Sequence, residues 1–99
     1  MIEDLLKTIR ERKNSNPDKS YTSSLLSGGL SKCIDKLEEE FSELKEALNS
    51  KNNQVQEAAD LIYHLLVALE SANVKFEDVL KELDRRKNRS GLKEKENRK

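Results

Sequence analysis

The chain has a single cysteine, one proline, three glycines and no tryptophan in 99 residues, and only 4% of it is aromatic. One cysteine, Cys33, closes no internal disulfide and builds no zinc knuckle. No apolar run approaches bilayer-spanning length, since the longest, Leu65–Leu69, has five residues. The opening stretch from Met1 to Lys13 is acidic early and amphipathic and lacks an apolar signal-peptide segment, so the cytoplasm is the expected location. Net charge is missing as well: 19 Lys and Arg balance 19 Asp and Glu, whereas a generic nucleic-acid or membrane-surface binder is usually basic. Apolar residues amount to 34%, so a single domain must either use long amphipathic helices or complete its core with a partner.

Charge itself is plentiful, at 38% of residues, and it is unevenly placed. Residues 85–99 hold eight Lys and Arg against two Glu, and the rest of the chain is acidic by the same margin. Between Asp35 and Asp60, eight acids meet only Lys36, Lys45 and Lys51.

Helical periods dominate the pattern. Ile2, Leu5, Leu6 and Ile9 form one stripe of a helix over Ile2–Lys13, and Pro17 lies in a polar loop that no helix continues through. A short segment around Leu25 and Leu26 ends at Gly28 and Gly29. A long helix over Leu30–Leu48 places Leu30, Cys33, Ile34, Leu37, Phe41, Leu44 and Leu48 on near-heptad seams. Asn53 with Gln56 three residues on fits a capping box opening a helix over Gln54–Ser71. That helix is apolar around most of its circumference from Leu61 to Leu69, which implies burial on more than one side. A last helix is expected over Phe76–Lys87, with Lys75 a poor cap, followed by a loose charged extension over 88–99. The expectation is an all-α antiparallel bundle of four main helices, with residues 1–87 as the domain and 88–99 as a basic tail, completed by homodimerisation.

Glu40 and Glu43 are three apart on one flank of the second long helix, with Lys36 on the same flank and Glu39 pointing further out. Glu57 and Asp60 repeat that spacing on the otherwise apolar helix, one turn before His64. Acids on a buried helix need compensation. Two such pairs on facing helices could hold one or two hard cations such as Mg²⁺, which bridges to phosphates. The bland readings stand beside this one. Glu38, Glu39 and Glu40 alone read as a solvated face, and acids near a helix N-terminus suit its dipole in any case. His64 reads as a packed or hydrogen-bonded core histidine, and Cys33 and Tyr63 read as core.

The stretches Ser20-Tyr21-Thr22, Gly29 to Glu43 with Glu39-Glu40 and Glu43, Glu57-Ala58-Ala59-Asp60-Leu61-Ile62-Tyr63-His64, and Ser90-Gly91-Leu92 resemble the phosphoribosyl-ATP pyrophosphatase family over nearly the whole chain. The resemblance implies a MazG-like all-α fold, a Mg²⁺-dependent homodimer, and hydrolysis of phosphoribosyl-ATP to phosphoribosyl-AMP and pyrophosphate, the second step of histidine biosynthesis. In related sequences such domains are often fused to a cyclohydrolase; with nothing before Met1, the stand-alone form is expected. By match, Glu40, Glu43, Glu57 and Asp60 would hold metal, and Glu39 and Glu40 would serve catalysis. Arg12, Ser20, Tyr21, Thr22, Lys32, Lys36, Arg85 and Arg86 would meet the substrate. The chain departs from the family pattern at Asp35, Glu38 and Phe41. Two other readings stay open: a pyrophosphatase for free nucleoside triphosphates, and a non-catalytic helical interaction module.

Overall fold

The computed structural model of the protein describes residues 1–87 and 91–97, and every regular element among them is helical. The helices are α1 (Ile2–Arg12), α2 (Tyr21–Ser27), α3 (Gly29–Ser50), α4 (Gln54–Ser71), α5 (Phe76–Arg86) and α6 (Gly91–Asn97). The four long helices fall where the hydrophobic periods place them, and α4 has the expected bounds. Acids open α1 and α5, and arginines close them, as the helix dipole favours.

The connections show which local signals were read correctly. Gly29, with φ of +88°, makes the break between α2 and α3 that a side chain would strain. Lys51 adopts a left-handed conformation after α3, and the Asn52 N–H returns to the Ala47 carbonyl at 3.1 Å. Asn53 is also left-handed, with φ of 56°, and its side chain caps nothing. The expected capping box with Gln56 therefore does not form, because a capping residue must be extended for its side chain to reach back to the first turn. Asn73 repeats the left-handed exit after α4, where the Val74 N–H reaches the Leu69 carbonyl at 2.9 Å. Within the tail expected to be loose, residues 91–97 instead form α6, a stretch rich in Lys and Glu, both good helix formers.

The core is small. Leu6 and Ile9 of α1, Leu25 of α2, Cys33 of α3, and Leu66, Val67 and Ala68 of α4 pack together. Cys33 is buried as expected and donates to the Leu25 carbonyl. Ion pairs join the end of α1 to the far end of α4 and the start of α5: Arg10 holds Glu77 at 2.7 Å and Glu70 at 3.5 Å, and Lys13 holds Glu70 at 2.9 Å.

The most extensive contact is the hairpin of α3 and α4. Its inner face on α3 is Cys33, Glu40 and Ala47, spaced by sevens. The facing residues on α4 include Glu57, Asp60 and His64. The apolar seams point elsewhere. Leu30, Ile34, Phe41 and Leu48 of α3 are exposed, Phe41 by 58%. Ile62 and Leu65 of α4 are exposed too, Ile62 by 49%. Within one chain, then, α4 is not buried on every side: the hairpin turns acids inward and leaves apolar seams outward.

Candidate active site

Glu40 is the anomaly from which the site is built. It is 8% exposed and lies one heptad from the buried small residues Cys33 and Ala47 on the face of α3 turned to α4. Across from it, Glu57 and Asp60 sit on successive turns of α4. One carboxylate oxygen from each of the three lies within 4.8 Å of the others. The Oε2 atoms of Glu40 and Glu57 are buried and have no hydrogen-bond partner. Unpaired buried carboxylate oxygens are costly, and their convergence calls for positive charge.

The electrostatics agree. Burial raises the Glu40 pKa first, and the neighbouring Glu43 carboxyl and the charge of Asp60 push it further, with His64 opposing. Burial also leads the rise at Glu57, followed by Glu43 and Asp60. Glu43 is itself exposed and borders a cleft of about 290 Å³ with Glu46, Asn53 and Glu57. Two acids whose charged forms are disfavoured by burial and by neighbouring carboxylates belong to a cluster that could bind a metal cation.

A wall of hydroxyls and rings stands beside the acids. The Ser20 hydroxyl accepts from the Ser23 N–H at 3.1 Å and so caps α2. The Tyr21 hydroxyl lies 3.1 Å from Nε2 of His64. Thr22 and Tyr63 join hydroxyl to hydroxyl. His64 is buried at 7% exposure, and its Nδ1 lies 2.8 Å from the Asp60 main-chain oxygen. Tyr21 and Tyr63 stack with ring centres 6.3 Å apart. Tyr21 and Thr22 thus dock α2 onto α4, while Ser20 caps α2 itself.

The expected substrate-side residues divide into near and far. Lys36 faces Glu39 at 3.3 Å and acts electrostatically on Tyr21, so both belong to the rim of the site. Glu39 is exposed and lies outside the carboxylate trio. Lys32 crosses the backbone of Gly28, and its ammonium reaches the Ser24 carbonyl at 3.5 Å. Arg12 is at the end of α1, at the level of Glu70, which is about 15 Å along α4 from Asp60 at 1.5 Å per residue. Arg85 and Arg86 lie on α5, where Glu82 holds them at 2.6 and 2.7 Å. Sequence reasoning treated His64 as core, which its burial bears out, but missed its link between Asp60 and Tyr21. The signal was present, since His64 continues the seam of Glu57 and Asp60 one turn on.

The profile of the family described as phosphoribosyl-ATP pyrophosphohydrolase matches residues 2–87. The chain belongs to that family. Its members act as hydrolases of phosphoric anhydride bonds, and the all-helical fold agrees with the membership. Curated relatives named phosphoribosyl-ATP pyrophosphatase cover almost the whole chain. The relative from Rhizobium etli is 43% identical over 99 residues, spanning 98% of this chain and 92% of its own. Those from Roseobacter denitrificans and Paracoccus denitrificans are 44% and 43% identical, spanning 98% and 96% of this chain and 94% and 90% of their own. Among the described residues, no helix is long and apolar enough to cross a membrane.

Proposed function

We propose that the protein is a Mg²⁺-dependent homodimer that hydrolyses phosphoribosyl-ATP to phosphoribosyl-AMP and pyrophosphate, the second step of histidine biosynthesis. The observation that carries this reading is the trio of Glu40, Glu57 and Asp60, with two buried carboxylate oxygens lacking partners, in a chain of this family. Glu40, Glu57 and Asp60, with Glu43 beside them, are the residues that would hold the cation. A hard divalent cation supplies charge to offset the triphosphate and lowers the pKa of a water.

The chain's own residues account for the rest. Lys32 and Lys36 lie on the exposed flank of α3 and balance phosphate charge. Glu39, outside the trio and paired with Lys36, is assigned by the family resemblance to take a proton as the water oxygen bonds to phosphorus. The bridging P–O bond breaks, pyrophosphate leaves, and one proton is released to solvent. Arg12, Arg85 and Arg86 enter as phosphate contacts only through the family resemblance.

The homodimer follows from the outward seams. Leu30, Ile34, Phe41 and Leu48 follow one another at steps of four, seven and seven residues on α3, and Ile62 and Leu65 of α4 are exposed as well. Two copies packed through these seams make a four-helix arrangement with apolar contacts between protomers and acids within each. Pyrophosphate release from phosphoribosyl-ATP, set against the common nucleoside triphosphates, tests the substrate. Preference for phosphoribosyl-ATP supports the proposal, and preference for a free triphosphate overturns it.

A further inference from the structure

The chain has two tyrosines and two phenylalanines, and the tyrosines stack on each other between α2 and α4. Their ring centres are 6.3 Å apart and their planes 19° from parallel, so Tyr63 covers one face of Tyr21. The Tyr21 hydroxyl lies 3.1 Å from Nε2 of His64, and the two rings meet edge-on with centres 5.9 Å apart. Behind them, Thr22 meets the Tyr63 hydroxyl and Ser20 caps α2. Tyr21 is therefore fixed at one face and at its hydroxyl end, yet the residue is 54% exposed. Among the described residues no ring stacks on its second face. An exposed aromatic alone is ordinary; what sets Tyr21 apart is its place. His64, which holds its hydroxyl, is one turn along α4 from Asp60, or about 6 Å. Phe41 is open as well, at 58%, but lies on the outward seam of α3, and Phe76 packs against the core.

We infer that the open face of Tyr21, backed by Tyr63, is the platform on which the base of the nucleotide stacks. This rests on the nucleotide-hydrolase reading and deepens it. A base is a flat π surface, and an aromatic ring beside a charged groove is the usual way to hold one. The ring is already fixed by its neighbours, so binding need not order it. Lys36 is within electrostatic reach of both Tyr21 and Glu40, so the platform, a lysine that balances phosphate and the acids adjoin one another. The helical turn between Asp60 and His64 leaves room for the sugar that separates base from phosphates. The base is therefore met at Tyr21, while the phosphates are met by the cation and the lysines of α3.

Ligands with and without a base separate the platform from any other role of Tyr21. Phosphoribosyl-AMP carries the base and pyrophosphate does not, and both are products of the proposed reaction, so each should inhibit it. Tyr21→Leu is expected to raise KM for phosphoribosyl-ATP and Ki for phosphoribosyl-AMP about 5-fold or more, the lower end of what losing one stacked ring costs. Ki for pyrophosphate should stay within about 2-fold, as for an independent contact. Tyr21→Phe keeps the ring and should lose less than Tyr21→Leu. The chain has no tryptophan, so Tyr21→Trp adds a single indole reporter. Its emission should be quenched by phosphoribosyl-AMP and not by pyrophosphate, and this arm stands even where Tyr21→Leu does not fold. Equal losses for both products in Tyr21→Leu, a Tyr21→Phe as impaired as Tyr21→Leu, or indole emission that ignores saturating phosphoribosyl-AMP each overturn the platform. A wild-type protein that leaves phosphoribosyl-ATP intact refutes the hydrolase reading instead, and the Tyr21→Trp titration still decides whether a base stacks there.

Discussion

Replacing Glu40 by Gln should stabilise the metal-free protein while weakening its response to Mg²⁺. Glu40 and Asp60 have carboxylate oxygens within 4.8 Å of each other. Two unit charges at about that distance repel by about 1 kcal/mol in bulk water and about 3.5 kcal/mol at an effective dielectric constant of about 20. Asp60 is partly exposed, which puts the pair toward the lower end, so neutralising Glu40 is expected to release about 1–2 kcal/mol. For a domain of this size that corresponds to a rise of about 5–10 °C in Tm. Gln keeps the shape of the side chain, so no cavity term enters. The Mg²⁺ response moves the other way. At a concentration about 100 times its Kd, a cation that binds only the folded state stabilises it by about 2.7 kcal/mol. If losing a ligand weakens binding by about 10- to 100-fold, that gain falls to about 0.4–1.4 kcal/mol. Differential scanning fluorimetry at pH 8, with and without Mg²⁺, measures both effects. An E40Q protein that melts lower than wild type without metal and keeps the full Mg²⁺ shift would refute the reasoning.

The pH dependence of the Mg²⁺ shift is a second expectation. Glu40 and Glu57 have folded-state pKa values raised above the ordinary value of 4.5. Their contribution to stability is therefore complete below the unfolded value and is lost as pH rises through the folded one. Protons and cation compete for the same oxygens, so the Mg²⁺-induced Tm shift should be small near pH 5 and grow toward pH 8; a shift independent of pH contradicts this. Glu77 and Glu82, held at about 2 by Arg10 and by the Arg85 and Arg86 pair, have the opposite sign. Their contribution is lost only as pH falls from 4.5 toward about 2, outside that window. Lys51→Gly should raise metal-free stability by about 0.5–1 kcal/mol, because the left-handed conformation at Lys51 strains any residue with a Cβ; an unchanged or lower Tm counts against that assignment. Phe41→Lys places a charge in the outward seam and should shift the protein from dimer to monomer in sedimentation velocity. A wild-type protein that sediments as a monomer contradicts the proposed pairing.

The long helices were legible because their signals are local. Hydrophobic periods, Pro17, the glycines at 28 and 29, and the polar turn from Asn49 to Asn53 mark them without any tertiary information. The cap of α4 was not legible, because the left-handed backbone at Asn53 is imposed by the tight turn out of α3 and overrides the side chain's preference. Three-residue spacing drew attention to the acids, of which Glu40, Glu57 and Asp60 converge, but the helix wheel put Glu40 on a flank of the apolar stripe. The structure puts it inside, on the same buried seam of α3 as Cys33 and Ala47. The link from Asp60 through His64 to Tyr21 joins residues 43 apart in sequence at its second step, so a periodicity argument confined to one helix does not reveal it. The cap that Ser20 forms on α2 was hidden for a similar reason: resemblance marked all three residues of the Ser-Tyr-Thr triplet as substrate contacts and said nothing of their place in the fold.

The most direct test of the central claim is pyrophosphate release from phosphoribosyl-ATP by wild type and by Glu57→Gln, each with Mg²⁺ and with a chelator. The account predicts release by wild type only with Mg²⁺, and a rate in Glu57→Gln lower by a factor of at least about 100, the upper end of what disturbing a metal's surroundings costs. Release by Glu57→Gln at the wild-type rate, or release by wild type that persists in chelator, would contradict it.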